Sequence, residues 1–373
     1  MAKKKIVIYS ALIVIIAVVS LVWVNVCSCE KPAYDHVVIV VGENHAYEQI
    51  IGSSDAPYIN NILIKEGVLI ENAYGEQHPS QPNYYWLFSG SNQGITTDSP
   101  YWPSGSPGPV FETDNLYTAL EKSSSCSKSE TSNFFGGYVD SGTDTPVADY
   151  YKNTPNYGNK HVPWLGFKNI NDGDPAGITR DFGTTFPSGP EADFSKLPKV
   201  SFVIPALNHD MHDFNSNGGY VDNPEKSSIA IKNGDTWLQQ NINAYAEWAK
   251  THNSLLIVTF DEDSSSDWET PVDQGGGGLN GGTNRHGMTS PKLKFNPVGR
   301  NSDSGPNHIV MIFYGANLSK KGLYTVPGAG VNNVNLLRTI ESFYGLRKSG
   351  AQTPLAIEAG MNDGAIEGIF VDR

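Results

Sequence analysis

The chain has 373 residues, with 39 acidic against 26 basic side chains and a formal net charge of -13. That balance excludes sustained nucleic-acid binding, and it repels anionic substrates unless a site cation offsets the charge locally. With only Cys27, Cys29 and Cys126 the chain cannot rest on a disulfide framework, so a core spread over roughly 340 residues, best read as one large domain, must hold it.

Lys3, Lys4 and Lys5 precede an apolar stretch from Ile6 to about Val24. It is long for a cleaved signal and just long enough to cross a bilayer. Residues 1–29 are therefore expected to be a signal peptide or a membrane anchor, with the lysines cytoplasmic and residues 30–373 outside. Val26-Cys27-Ser28-Cys29 is similar to a bacterial lipobox, which leaves a lipoprotein open beside an uncleaved anchor. The membrane is expected to be met through this segment only.

Residues 37–41, all aliphatic, predict a buried strand that ends in Gly42-Glu43-Asn44-His45. A short helix over 56–65 and a strand from 68 follow. A polar loop, 76–83, then leads into an apolar helical pattern from Tyr84 to Phe88. Residues 92–112 read as irregular, and 113–122 as a helix capped at Thr113 and Asp114. Residues 123–195, rich in Gly, Asn and aromatics, read as an irregular excursion beside the sheet. Strand 200–204 ends at Pro205. One amphipathic helix over 235–250 then precedes a strand over 255–260, a βαβ order. Residues 264–306 read as a long mobile insertion, 308–314 as a strand and 334–344 as a helix. Alternating strands and helices predict an α/β fold, a mainly parallel central sheet with helices on both faces.

Three polar clusters fall at predicted strand ends, where open α/β sheets place their ligands. They are Glu43-Asn44, Asp261-Glu262-Asp263 and Asn208-His209-Asp210-Met211-His212-Asp213. If the strands are neighbours the clusters converge. Carboxylates that close repel one another in a partly dry site, and a divalent cation with hard oxygen ligands resolves this. Ser80 lies just before a helix whose first turn suits Pro82; its hydroxyl is either an N-cap or a nucleophile with Asn83 donating to a phosphoryl oxygen. His212 is a candidate metal ligand or general acid, His209 a weaker one better read as a loop residue, and Lys160-His161 and Asn307-His308 are further donors.

In this order the motifs resemble the phosphoesterase family of acid phosphatases and phospholipases C, within the alkaline phosphatase superfamily. The resemblance runs from Gly42-Glu43-Asn44-His45, through His78-Pro79-Ser80-Gln81-Pro82-Asn83 and Gly234-Asp235-Thr236-Trp237, to Asp261-Glu262-Asp263 and Leu337-Arg338-Thr339-Ile340-Glu341. It implies an alkaline-phosphatase-like fold and a metal-dependent phosphoric-ester hydrolase, acting on phosphomonoesters through a phosphoserine. Ser80 matches the nucleophile; Glu43, Asn44, Asp261 and Glu262 match metal ligands of unknown metal; His212 matches a catalytic histidine. Asn83 resembles the residue that steadies the phosphoryl group, and Lys160 and His161 are expected to meet the substrate. A phospholipase C-like phosphodiesterase is the nearest alternative, and a non-catalytic carbohydrate-binding surface protein on the same scaffold is another. Asn332-Asn333 stands where the family usually carries a histidine, which His286 is a candidate to replace.

Overall fold

The computed structural model describes residues 33–100, 108–124, 133–143, 145–171, 177–212, 224–263 and 307–371. The apolar N-terminal run, all three cysteines, Asp213 and the 264–306 insertion with His286 lie outside these residues. No helix among the described residues is long and apolar enough to cross a membrane.

In chain order, strand β1 (His36–Gly42) is followed by a short helix, Tyr47–Ile50. The helix expected over 56–65 is present over 57–66, with a π-helical centre, Ile59–Leu63, continuing as Ile64–Glu66. Strands β2 (Val68–Ile70) and β3 (Ala73–Tyr74) precede helix α1 (Ser80–Ser89) and helix α2 (Leu116–Ser124). The cap of α2 is Asn115, not Thr113 or Asp114: its side chain accepts from Thr118 N–H at 3.0 Å, and Thr118 Oγ1 accepts from Asn115 N–H. Then come β4 (Phe135–Val139), β5 (Thr179–Asp181) and β6 (Val200–Ile204). The single helix expected over 235–250 is two: α3 (Pro224–Asn241) and α4 (Asn243–Ala249), broken at Ile242. Strand β7 (Ser254–Phe260), β8 (His308–Ile309), β9 (Met311–Gly315), β10 (Gly322–Tyr324), β11 (Val331–Asn332) and helix α5 (Asn333–Phe343) follow, and then a short helix, Pro354–Glu358.

Eight strands form one sheet in the order β10-β2-β9-β7-β1-β6-β4-β5, and β11-β3-β8 form a small second one. Pairing is parallel throughout the half from β7 to β5; β9 runs antiparallel to β7 and β2. The run expected as one strand over 308–314 therefore divides at Val310 between the two sheets. Every residue of β6 and β7 is buried. Successive strand side chains face opposite ways, so both faces of the sheet centre are covered. The α/β, mainly parallel architecture is the expected one.

The excursion expected over 123–195 is not confined to the side of the sheet, because it supplies β4 and β5. Gly136 and Gly137 blank out the apolar pattern of β4. Gly137 is glycine because the Trp164 ring lies against it: a Cβ there would stand 2.1 Å from the ring. Trp164 is itself buried, with its indole N–H held by Thr179 Oγ1 at 2.9 Å.

Candidate active site

The parallel register of β1 with β7 sets Gly42 opposite Phe260. The next residues, Glu43-Asn44 on one strand and Asp261-Glu262 on the other, therefore leave the same edge side by side. On the other flank β6 pairs with β1, with Val40 opposite Val203, so its outgoing loop to His212 arrives at that edge too. Glu43 N–H donates to Asp210 O at 2.8 Å, fastening two of the three loops together. Helix α3 supports the third loop closely: at Gly234 a Cβ would come within 2.3 Å of Met211 and 2.9 Å of His209 O. Neighbouring Asp235 accepts from the Tyr58 and Ile59 N–H groups at 2.9 and 2.8 Å, tying α3 to the π-helical turn.

Ser80 enters this edge from α1. It is not the helix cap: Pro79 holds the cap position, and Ser80 is the first helical residue. Its Oγ lies 3.1 Å from Glu43 Oε2, 3.1 Å from Glu262 Oε1 and 3.2 Å from the Asn44 carboxamide. One hydroxyl proton cannot serve three acceptors, so this set is short of positive charge or of donors. The Asn44 carboxamide has two settings. With nitrogen inward it donates to Glu43, Glu262 and Ser80, and its oxygen accepts from His212 Nε2 at 3.1 Å. With oxygen inward it completes an all-oxygen set. Asn44 sits at φ 43°, the left-handed region that asparagine tolerates better than most residues.

Glu43, Asp261, Glu262 and Asp263 are all buried. Burial pushes the Glu43 carboxyl up, opposed by the Lys160 and His212 charges and by the Tyr84 hydroxyl. Burial, with Glu43 and Glu262 close by, pushes Asp261 well above the usual carboxylate range. Asp261 Oδ1 accepts from Asn44 N–H at 3.3 Å, while its buried Oδ2 has no partner. No three His, Cys, Asp or Glu side chains among the described residues make a ready metal cage by themselves. The Asp261 Oδ2 left without a partner, the carboxyls raised by burial and by one another, and the oxygen-inward setting of Asn44 are nevertheless what a hard divalent cation suits.

The remaining expected residues are placed as follows. Asn83 works on the loop before Ser80: its oxygen accepts from Glu76 and Gln77 N–H at 3.1 and 3.0 Å, and its amide donates to Gln77 O at 2.7 Å and Glu262 Oε2 at 3.4 Å. Lys160 Nζ pairs with Asp98 at 2.6 Å. Burial opposes its charge, but Glu43, Asp98 and Asp261 outweigh that and raise its pKa. His161 is buried and held well below the usual imidazole range, by burial first and then by Lys160 and His212, so it is neutral. Its Nε2 is 3.1 Å from Glu43 Oε1 but not aligned for a hydrogen bond. Its ring stacks on Tyr84 at 5.1 Å. The His308 backbone N–H donates to Asp263 Oδ2 at 3.2 Å, but its ring is engaged elsewhere, with Nδ1 2.8 Å from Glu48 and Nε2 2.7 Å from Glu71 O.

Two contacts are not foreseen in the sequence. His78 Nδ1 is 2.5 Å from Glu262 Oε2, and its Nε2 is 3.4 Å from Asp263 Oδ1. Tyr84 donates to Glu43 Oε1 at 2.6 Å; burial, then the Glu43 charge, keep that phenol protonated. The available signal is position: His78 and Tyr84 flank Ser80 by two and four residues, on a loop and first helical turns that must face the same edge.

A hydroxyl, a carboxylate cluster and imidazoles at the carboxyl edge of a parallel sheet define the class, a hydrolase of charged esters. A family model described as the Phosphoesterase family matches residues 53–347, and the chain belongs to that family. Phosphatidylinositol-3-phosphatase of Mycobacterium tuberculosis is 33% identical over 332 residues, covering 88% of this chain and 83% of that protein. An acid phosphatase of Aspergillus fumigatus is 25% identical over 242 residues, 64% of this chain and 47% of its own length, so the match spans about half of that relative. A solved structure from the alkaline phosphatase superfamily, of Vibrio parahaemolyticus, aligns with TM-score 0.47 and 12% identity over 86% of this chain and 69% of its own. The chain is a phosphoric-ester hydrolase.

Proposed function

We propose that the chain is an exported, metal-dependent phosphomonoesterase that works through a phosphorylated Ser80. The observation that carries this is the Ser80 hydroxyl 3.1 Å from both Glu43 and Glu262 on the edge where three strand ends meet. The relative whose name gives phosphatidylinositol 3-phosphate as substrate supports a monoester over a diester. The apolar run after Lys3-Lys4-Lys5 supports export.

In this reading Glu43, Asn44, Asp261 and Glu262 hold a divalent cation. When bound, it supplies positive charge that lowers the hydroxyl's pKa and offsets the phosphoryl oxygens. Ser80 gives its proton to the flanking carboxylate as Oγ bonds to phosphorus and the bond from phosphorus to the ester oxygen breaks. His212 protonates the departing alkoxide. Water then attacks the phosphoserine, releasing phosphate and restoring the hydroxyl. The Lys160 charge faces the same centre and attracts the anionic ester. Asn83 and His78 fix the approach of Ser80 and the angle of Glu262.

The test is aryl phosphate hydrolysis by the wild type and Ser80→Ala, with a labelled phosphomonoester quenched in acid to trap the phosphoserine. The expected result is loss of turnover and label in the variant with its thermal midpoint kept. Near-normal turnover in Ser80→Ala overturns the assignment.

A further inference from the structure

A cavity of about 650 Å³ opens beside β4, β5 and β6, at the same carboxyl edge but with none of the carboxylate cluster in its lining. Asp140, the residue after β4, reaches into it and holds His209: Nδ1 lies 2.8 Å from Asp140 Oδ2, and the other Asp140 oxygen accepts from Gly142 N–H at 2.8 Å. This fixes the imidazole and leaves its Nε2 without a partner among the described residues. The ring lies nearly parallel to Trp237, 6.1 Å between centroids and 21° between planes. Trp237 packs on Phe182 at 5.2 Å, and Phe182 stacks on Phe186 at 4.8 Å. Trp237, Phe182 and Phe186 keep only 6%, 6% and 4% of their surface exposed, so this wall presents aromatic edges to the cavity.

The remaining lining is mostly hydroxyl and carboxamide, including Asn208, Thr236 and Gln240. Asn208 Oδ1 is buried and has no partner. Among the lining residues Lys232 is the one lysine or arginine, and it is exposed. The charge of Asp140 is already met by His209 and by two backbone N–H groups, of Gly142 and Ala206. A phosphate or carboxylate ligand would find little here to neutralise it. A ring bearing several hydroxyls fits better. Its C–H groups meet the aromatic edges, and its hydroxyls both donate and accept, as carboxamides, hydroxyls and an oriented imidazole require.

We infer that this cavity is a second binding site, for a neutral ring polyol, with His209 oriented by Asp140 as its central hydrogen-bonding group and the exposed edges of Trp237 and Phe182 as its apolar contact. Sugars and cyclitols share that chemistry. The site stands apart from the phosphoryl-transfer reading and does not depend on Ser80. It is nonetheless close to it. His209 and His212 are three positions apart, a reach of at most about 11 Å along the chain, so one loop serves the cavity and the Asn44–His212 contact.

The test uses the whole protein in a saturation-transfer NMR titration, with myo-inositol in one arm and glucose in the other. Saturable binding is expected in at least one arm. Its dissociation constant should rise about tenfold or more in Gln240→Trp, an exposed substitution that fills the cavity from helix α3. His209→Ala is the second variant and is read in its place if Gln240→Trp lowers the thermal midpoint. Absence of saturation in both arms overturns the inference, as does unchanged binding in the variants. Displacement of the polyol by inorganic phosphate also overturns it, by placing the ligand in the carboxylate cluster instead.

Discussion

Glu76 offers a quantitative test of how this fold treats charge. It is buried; Oε1 accepts from Val334 N–H at the start of α5 at 2.9 Å, and Oε2 has no partner. Burial outweighs the Val334 and Asn333 donors and pushes its pKa from 4.5 up to about 8. The folded acid thus holds its proton where the unfolded chain has released it. Its contribution to stability is complete below the unfolded value of 4.5 and is lost as pH rises towards about 8. At about 1.4 kcal/mol per pH unit, that interval corresponds to a loss on the order of 5 kcal/mol. Glu76→Gln keeps the acceptor for Val334 and cannot ionise, so it escapes the loss. Urea unfolding of both proteins at pH 5 and pH 9 checks this, since other titrating groups cancel in the difference. The variant should gain several kcal/mol on the wild type between the two pH values. Parallel pH profiles would refute the reasoning and place Glu76 in contact with solvent.

Tyr84→Phe removes the donor to Glu43 Oε1 at 2.6 Å; a hydrogen bond to a charged group contributes about 1.5–3 kcal/mol, so the thermal midpoint should fall, and aryl phosphate kcat/KM should fall by about 10–100-fold. Gly137→Ala drives a Cβ to 2.1 Å from the Trp164 ring, which Thr179 holds in place; a destabilisation of about 1–3 kcal/mol or more is expected, read in the denaturation midpoint. Stripping divalent metal with a chelator should abolish turnover and lower the thermal midpoint, and adding the ion back should restore both; a stripped protein with full activity would remove the cation from the mechanism.

The centre of the site is legible in the sequence because two facts coincide. An aliphatic run that ends in acidic residues marks both β1 and β7, and neighbouring parallel strands in register bring such ends together without any side-chain detail. Strand β6 ends just before Pro205 and is legible for the same reason. What surrounds the centre is hidden where packing overrides local pattern. Gly136 and Gly137 make β4 look like a loop, yet Gly137 is glycine because the Trp164 ring fills the space, and at Gly136 a Cβ would stand 2.8 Å from Pro198. Ile242 is apolar at helical spacing and so conceals the break between α3 and α4. Nothing local distinguishes His308, which faces Glu48, from His78, which faces Glu262.

Asn332-Asn333, where the family resemblance leads one to expect a histidine, is tied into the fold by its carboxamides. Asn332 caps α5, accepting from Asn335 N–H at 3.1 Å, and its amide pairs with Gln352 at 2.9 Å. Asn333 donates to Asp261 O at 3.2 Å and leaves its own Oδ1 buried and unpaired. Where a histidine is expected, the chain therefore has a carboxamide that steadies the backbone of the acidic loop. An imidazole could lend positive charge to the cluster, and a carboxamide cannot. Among the side chains, Lys160 and His212 are the two largest influences that favour the charged form of Glu43. This makes the Lys160–Asp98 pair part of the electrostatic support of the site and not a surface ion pair.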